Sequence, residues 1–320
     1  MVIAVLLSQV LLFHVIRKGI TYREKNKPNS SGKDAPITYL FETYNDRERL
    51  FRQFLLLQDM FNAAFTDILK LGNYDLNPET ADWRVLDAGC GEGLFSEEIV
   101  SNYPHTHIVG FDRDAEAVAT ANIAFRSRGD LYFFTHDALK PLPKTLRLLN
   151  GKKISTSFDI ALAWLVLTHI KNASTALANI AAVLKPGGTI LLLDNPTTWF
   201  TFPHPSFMAL EAVVSEALNR VSFFGFGSQH LAQLEKAGFT DIKSVQIEFL
   251  LGGTTEAGQR WLKHYLDLFK AARKTVVEVL GLMSATEFDS HISRIKSETT
   301  IDMTGYAHVV QTIARKPLEE

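Results

Sequence analysis

Trp83 to Asn195 is the part of the sequence that most restricts the fold, because short apolar, β-branched runs alternate there with stretches of helical periodicity. The strand-like runs are, in order, Val85–Leu86, His107–Asp112, Leu131–Asp137, Phe158–Leu165 and Thr189–Asp194. The helical stretches between them are Leu94–Asn102, Asp114–Arg126 and Ser174–Leu184. This alternation predicts a parallel sheet with both faces covered, since each helix carries the chain back to the same edge. The expected fold class is therefore α/β, with a doubly wound, mostly parallel sheet.

The rhythm changes after the fifth strand-like run. Helical patterns occupy about residues 205–222 and 228–237, and a strand pattern follows at Asp241–Leu251. Further helical patterns lie at about 256–280 and 286–297, before a last strand pattern at Tyr306–Ala314. Two late strands separated by helices predict a hairpin-like edge of the sheet, with a helical insertion at about residues 252–304.

Residues 1–16 are almost entirely apolar, and a basic stretch follows them. The run is shorter than the roughly 20 apolar residues of a membrane-spanning helix. Its basic flank follows the apolar run, whereas that of a secretory signal precedes it. Three interpretations stay open: a short membrane anchor, a helix that lies on a membrane surface, and a helix packed in this chain or a sister subunit. Residues 26–36 have the composition of a linker, so residues 1–36 are expected to form an appendage.

A further helical pattern precedes the alternating core. Leu50, Phe54, Leu57 and Phe61 recur at steps of three and four, which predicts a helix over about residues 46–71. Residues 37–80 are therefore expected to form a helical lead-in, and residues 81–320 the main domain.

The charge balance of the chain is close to neutral, with 33 Lys plus Arg against 35 Asp plus Glu. Such a chain offers no overall electrostatic attraction for a nucleic-acid partner. Apolar residues make up 46% and charged residues 21%, which excludes a mainly disordered chain. Cys90 is the single cysteine, so no intrachain disulfide can form. The sequence shows no cluster of metal ligands, and we expect no metal.

The segment Val85-Leu-Asp-Ala-Gly-Cys-Gly-Glu-Gly93 carries the chemistry. A strand ends there near Asp87, three glycines follow at alternate positions, and a helix begins. Parallel sheets bind ligands at the carboxyl ends of their strands, and glycines let the backbone approach a ligand closely. The dinucleotide fingerprint is G-x-G-x-x-G, and Leu94 occupies the place of its last glycine. Asp87 would repel a pyrophosphate but would suit a ligand with a positive amino or sulfonium group.

This segment resembles the class I S-adenosylmethionine-dependent methyltransferases, in which a hydrophobic-L-D-x-G-C-G-x-G pattern is typical. Other segments resemble the family in the same order: IVGFD, FFTHDAL, FDIALAWLVLTHI and LKPGGTILLLD. The resemblance implies a Rossmann-like sheet of seven strands and S-adenosylmethionine as the cofactor. It implies that Asp112 accepts from the ribose hydroxyls and that Asp137 and Ala138 flank the adenine. The cofactor-binding residues expected on this basis are Asp87, Gly89, Gly91, Asp112, Arg113, Asp137, Ala138 and Trp164.

The resemblance also indicates where the methyl acceptor would bind. Tyr39, in the lead-in, and His169, after the fourth strand, are the candidate catalytic residues. Trp199, Phe200 and His204 follow the fifth strand, where the family builds its acceptor pocket, so we expect them to contact the substrate. The alternative is that these aromatic residues only pack a cover. An aromatic-rich pocket favours a small, apolar or aromatic metabolite as acceptor.

Two other functions stay open at this point. One is a nicotinamide-dependent oxidoreductase on a similar sheet, against which the missing third glycine and Asp87 argue. The other is a relative that binds the cofactor without catalysis and regulates a partner protein. The expected location is a cytoplasmic catalytic domain that residues 1–16 bring to a membrane if they are an anchor.

Overall fold

The computed structural model describes residues 46–147, 153–222 and 224–318. Tyr39 and residues 1–16 lie outside the described residues. Helices and strands are labelled in chain order within the described part.

The alternating core forms the sheet that its sequence predicts. Its parallel strands are β1 (Arg84–Ala88), β2 (His107–Asp112), β3 (Leu131–Thr135), β6 (Phe158–Trp164) and β7 (Leu184–Asp194). The helices that flank them are α1 (Asp46–Gly72), α2 (Leu94–Asn102), α3 (Ala115–Ala124) and α4 (Ala173–Ala182). In space the strands follow the order β3-β2-β1-β6-β7. The chain therefore adds strands on one side of β1 first, and on the other side from β6 onward. The doubly wound α/β prediction is confirmed, and the order places a switch point beside the glycine segment.

Two long late strands complete the main sheet. Strand β10 (Thr304–Arg315) runs antiparallel to β7, with Val310 opposite Asp194. Strand β9 (Thr240–Gly252) pairs antiparallel with the other edge of β10. The predicted hairpin-like edge is therefore present, and the sheet has seven long strands. A two-residue strand, β8 (Phe200–Thr201), follows β7 and pairs with the start of β10.

Helices cover the two faces of the sheet in separate groups. On one face, α1, α2 and α3 pack against alternate strand residues such as Val85, Ile108 and Leu162. On the other face, α4 and α6 (His230–Lys236) pack against the intervening residues, including Leu86 and Ala161. Strands buried on both sides require apolar residues at every position, which explains their unbroken apolar runs.

A third core lies beyond the carboxyl end of β7 and belongs to the late helices. These are α5 (Pro205–Val221), α7 (Glu256–Arg273) and α8 (Ala285–Glu298), and a π-helical turn, Lys274–Val279, prolongs α7. Their apolar faces bury Phe207, Phe269 and Phe288 together with the β8 segment. Because β8 and the first residues of β10 lie at the carboxyl edge of the parallel strands, these helices form a cover at that edge.

One element departs from the sequence-based expectation. A small antiparallel hairpin, β4 (Thr145–Arg147) and β5 (Lys153–Ser155), lies between β3 and β6, in a stretch to which the sequence pattern assigned neither a helix nor a strand. Its strands are only three residues long, too short to give a periodic signal. Among the described helices, none combines the length and apolar character needed to cross a membrane.

Candidate functional site

The glycine turn after β1 is held against the end of β2 by backbone hydrogen bonds. The amides of Gly89 and Cys90 donate to the carbonyl of Phe111 at 2.7 and 3.0 Å. Gly89 has a φ of +76°, and a Cβ there would lie 2.2 Å from Cγ2 of Val166, so only glycine fits. Gly91 also has a positive φ, of +52°, but a Cβ there would meet nothing within 4 Å. The turn is therefore packed at Gly89 and open at Gly91.

The carboxylate of Asp112 lies beside this open position. Its Oδ2 accepts from the amide of Gly91 at 3.0 Å, and its Oδ1 accepts from the amide of Asp114 at 2.9 Å. Burial raises the pKa of Asp112, and these two hydrogen bonds oppose the rise. A carboxylate can accept about four hydrogen bonds. Two sites on Asp112 therefore remain for hydroxyl groups of a ligand.

Asp87 is the buried acid at the tip of β1, with 4% of its surface exposed. Its Oδ2 accepts from the Ser96 hydroxyl on α2 at 2.6 Å. Burial, opposed by the Ser96 hydrogen bond and aided by the nearby Asp112 carboxylate, raises the pKa of Asp87 to about 6. A cation placed beside Asp87 would favour its ionised form, and the ionised carboxylate would in turn attract the cation.

The loop after β3 is tied to the same edge. The amide of His136 donates to the carbonyl of Asp112 at 2.9 Å. Asp137 Oδ1 accepts from the amide of Leu139 at 3.0 Å, and the carbonyl of the buried Ala138 accepts from Asn179 on α4. Predicted cofactor residues from three loops thus lie along one edge of the sheet. Arg113, the polar candidate that directly follows β2, is exposed.

Trp164 ends β6 and turns its indole toward α1 and α2. The ring lies 4.9 Å from that of Phe61 and 5.4 Å from that of Phe95, centroid to centroid. The side chain is 6% exposed, and its Nε1 has no hydrogen-bond partner among the residues that the structure describes. A buried N–H without a partner costs about 1–3 kcal/mol, so this donor is suited to a ligand acceptor.

His169 lies in a 3₁₀ turn, Leu167–His169, that follows β6. Burial, together with the positive charges of Arg49 and Arg113, lowers the pKa of His169 to about 4. The imidazole is therefore neutral near pH 7, and it is a weak base there. Tyr39, the other catalytic candidate, lies outside the described residues, so its role stays a prediction.

The predicted acceptor residues lie inside the cover. Trp199 and Phe200 are buried against Tyr265, with ring centroids 5.6 and 4.9 Å from it, and Trp199 Nε1 donates to Glu211 on α5. His204 caps α5, because its Nδ1 accepts from the amide of Ser206 at 3.2 Å. These contacts agree with the alternative interpretation, in which the residues only pack a cover. Direct contact with an acceptor stays a prediction.

Two residues near His169 have no role predicted from the sequence. Arg49 on α1 is buried, and its charge acts on both His169 and His264. His264 on α7 is 5% exposed, and burial, followed by Arg49, lowers its pKa to about 3. The apolar spacing of α7 marks position 264 as a buried position, but nothing in the sequence brings α7 over the strand tips.

Two cavities lie at the opposite, amino edge of the parallel strands. One of about 300 Å³ is lined by Arg84, His107 and Lys153, and one of about 270 Å³ by Thr240 and Arg315. The polar residues assigned to a cofactor do not line either cavity.

Comparison with known proteins gives the family of this sheet. Residues 86–190 match the model of a methyltransferase domain family. This part of the chain is a class I methyltransferase domain. The match covers β1 through most of β7, the stretch that carries the glycine turn, Asp112 and His169. The resemblance inferred from the sequence is confirmed.

Curated relatives of this methyltransferase domain match over the same region. A ubiquinone biosynthesis O-methyltransferase of Bradyrhizobium sp. is 30% identical over 119 residues, which are 37% of this chain and 42% of that protein. A malonyl-[acyl-carrier protein] O-methyltransferase 2 of Ilyobacter polytropus is 28% identical over 122 residues, which are 38% of this chain and 42% of that protein. The chain spans about half the length of the curated relatives it matches.

Among solved structures, a phosphoethanolamine N-methyltransferase 2 of Haemonchus contortus in complex with S-adenosyl-L-methionine is similar to this chain. The two are 20% identical with a TM-score of 0.50, and the match covers 89% of this chain and 61% of the other. At this identity the likeness concerns the fold, and it agrees with the Rossmann-like sheet described above.

Proposed function

We propose that this protein transfers the methyl group of S-adenosylmethionine to a small-molecule acceptor. The observation that carries the proposal is the pairing of Asp112 with Gly91 at 3.0 Å, beside open space at the glycine turn. A carboxylate with two free acceptor sites suits a ribose, and the buried Asp87 suits the positive end of the same cofactor. The residues proposed to hold it are Asp87, Gly89, Gly91, Asp112, Arg113, Asp137, Ala138 and Trp164.

Methyl transfer requires little covalent chemistry from the protein itself. S-adenosylmethionine supplies a methyl group that is already activated on a positively charged sulfur. The residues of this chain have to hold the acceptor atom in line with that methyl and exclude water. His169 is the proposed proton acceptor where a hydroxyl group is methylated, a role that requires its pKa to rise toward 7 when the acceptor binds.

An apolar or aromatic acceptor is the finer part of the proposal. The sheet core and the cover core meet at partly buried apolar residues that pack against both: Met60, Phe95, Leu165 and Phe249. Partly exposed apolar side chains beside the strand tips would gain by burying an apolar ligand, at roughly 25 cal/mol per Å² of surface removed from water.

The lead-in helix α1 is the proposed wall of this site. Glu98 of α2 accepts from Gln58 and Asn62 of α1 at 2.7 and 2.8 Å. Arg52 of α1 pairs with Asp267 of α7 at 3.1 Å. The helix is thus fixed to both the methyltransferase sheet and the cover, a position that suits the role of covering the cofactor.

Titration calorimetry with S-adenosylmethionine, S-adenosylhomocysteine and NADPH tests the cofactor. We expect binding of the first two and none of NADPH. Binding of NADPH alone would overturn the proposal in favour of an oxidoreductase.

Transfer of a tritiated methyl group into a lipid-soluble cell extract tests the activity separately. Labelled product in the organic phase is expected for an apolar acceptor. Cofactor binding without any labelled product, in either phase, would favour the regulatory alternative.

A further inference from the structure

A buried network of three polar side chains links β7 to β10 next to the site. Asp194, at the tip of β7, accepts at Oδ2 from His230 Nε2, with the two atoms 3.1 Å apart. His230 Nδ1 lies 3.1 Å from the hydroxyl of Thr312 on β10. All three side chains are 0% exposed. A buried carboxylate destabilises the folded protein unless hydrogen-bond partners are well placed around it. The three side chains are therefore expected to hold a specific local structure.

The other oxygen of Asp194 holds the turn that follows β6. Oδ1 accepts from the amide of Thr168 at 2.9 Å. The nearby backbone amide of Val166 also helps to keep the pKa of this carboxyl group down. Within the turn, the amide of His169 donates to the carbonyl of Val166 at 2.9 Å. One carboxylate thus links the turn to β7 and, through His230, to β10.

This turn lies against the glycine segment. The side chain of Val166 occupies the space where a Cβ on Gly89 would collide with it. Displacement of Val166 would therefore loosen the tightest contact of the glycine turn. The same displacement would move His169, three residues further along the chain.

A second glycine lets His230 reach Asp194. Gly227 lies in the 3₁₀ turn that leads into α6, and a Cβ there would lie 2.8 Å from the carbonyl oxygens of Asp194 and Asn195. Only glycine allows the turn to lie this close to the end of β7. The backbone is thus shaped so that the His230 ring reaches the carboxylate.

We propose that Asp194 and His230 are positioning residues that fix the turn 166–169 against the glycine turn, and so set the cofactor site and the placement of His169. The proposal rests on the proposed function for its catalytic meaning. Its structural part, the clamping of the turn by the carboxylate, stands on the hydrogen bonds alone.

The variants follow from the bonding pattern. Asp194→Ala removes the carboxylate. Asp194→Asn keeps an oxygen for Thr168 and offers an N–H to His230, so it should rescue most of the effect. Asp159→Asn is the matched control. Asp159 lies on β6 and, like Asp194, accepts from a backbone amide, that of Arg84 at 3.0 Å, and it pairs with Lys185 at 2.7 Å, but at the amino edge of the sheet.

Hydrogen exchange of the amides of Val166 and Thr168 is the first readout. In Asp194→Ala we expect exchange at least about tenfold faster at both amides, with near wild-type rates in Asp194→Asn and Asp159→Asn. Equal acceleration in Asp159→Asn would mean general destabilisation and would overturn the proposal.

The affinity for S-adenosylhomocysteine is the second readout. We expect it to fall at least about fivefold in Asp194→Ala, and to stay within about twofold in the other two variants. Unchanged affinity in a folded Asp194→Ala would overturn the link to the cofactor site. If the wild type itself fails to bind, the proposed function fails, and the exchange rates still decide the clamp.

If Asp194→Ala does not fold, hydrogen exchange of the wild type tests whether Asp194 holds the turn. The amide of Thr168 should then exchange as slowly as that of Leu165, which bonds to the carbonyl of Leu193 at 2.7 Å. A Thr168 amide that exchanges like an exposed loop amide would refute the clamp.

Discussion

The hydroxyl of Ser96 donates a 2.6 Å hydrogen bond to the buried carboxyl group of Asp87, and so joins the first helix after the glycine turn to the tip of β1. This bond favours the ionised carboxylate, whereas burial and the nearby Asp112 favour the protonated form. Burial dominates, and the pKa of Asp87 rises to about 6. The charge of Asp87 therefore changes as the pH passes through about 6.

The affinity for S-adenosylmethionine should increase as the pH rises through about 6. A cationic ligand favours ionised Asp87, so binding below this pH has to release the proton that Asp87 holds. We expect roughly tenfold tighter binding at pH 7.5 than at pH 5, and a much flatter profile in Asp87→Asn. Calorimetry in buffers of different ionisation enthalpy measures the proton release. A profile that Asp87→Asn leaves unchanged would assign the titration to another group.

Asp112→Ala should weaken cofactor binding strongly. A hydrogen bond to a charged group contributes about 1.5–3 kcal/mol, so the loss of the ribose contacts predicts a fall in affinity of at least about tenfold. Asp114→Ala is the control, because Asp114 caps α3 by accepting from the amides of Glu116 and Ala117. That variant should lose about 0.5–2 kcal/mol of stability with little change in affinity. Equal loss of affinity in both variants would contradict the assignment.

Gly91→Ala should affect binding more than folding. The new Cβ would meet no described residue within 4 Å but would enter the open space at the turn, and the left-handed backbone adds about 1–2 kcal/mol of strain. Gly238→Ala carries a similar backbone strain, at φ +81°, with open space and far from the strand tips. Thermal unfolding should therefore shift similarly in both variants, whereas S-adenosylhomocysteine affinity should drop only in Gly91→Ala. A matching drop in Gly238→Ala would refute a role for the open space.

His169 and His264 should both remain neutral well below the usual range of histidine. Burial lowers their pKa values to about 4 and about 3, and the charge of Arg49 adds to both effects. NMR titration of the ring protons, assigned with His169→Gln and His264→Gln, should show no midpoint between pH 5 and 8 for either ring. A midpoint near 6.5 for His169 would mean that the ring is hydrated, and would contradict its burial beside Arg49 and Arg113.

Removal of residues 1–16 separates the interpretations of that segment. If it is a membrane element, the truncated protein should bind S-adenosylhomocysteine with unchanged affinity and lose sedimentation with liposomes. If it is a packing helix, thermal stability should fall and liposome binding should be absent in both forms. The full-length chain, measured in the same vesicles, is the reference.

The local pattern of the sequence was enough to predict the sheet. Buried parallel strands need apolar residues on both faces, and this requirement leaves a signal within each short run. The glycine segment was predictable for a similar reason, since a turn at a strand tip needs residues of a particular conformational freedom. The role predicted for Asp112 came instead from the resemblance to the methyltransferase family. The hairpin β4–β5 left no such signal, because three-residue strands are shorter than a recognisable period.

Only the tertiary structure showed what the remaining polar residues contact. Trp199 and His204 follow the fifth strand, where residues of an acceptor pocket were expected. In the structure Trp199 packs inside the cover and donates to Glu211, and His204 caps α5. Asp194 and His230 are 36 residues apart in the chain and meet because Gly227 lets one turn approach β7. His264 lies near Arg49 because α7 folds back onto α1. The sequence by itself determined the strands, the helices and the glycine turn, since these follow from local periodicity and backbone freedom. Contacts between distant side chains depend on how the elements pack in three dimensions, so the tertiary structure alone decided them.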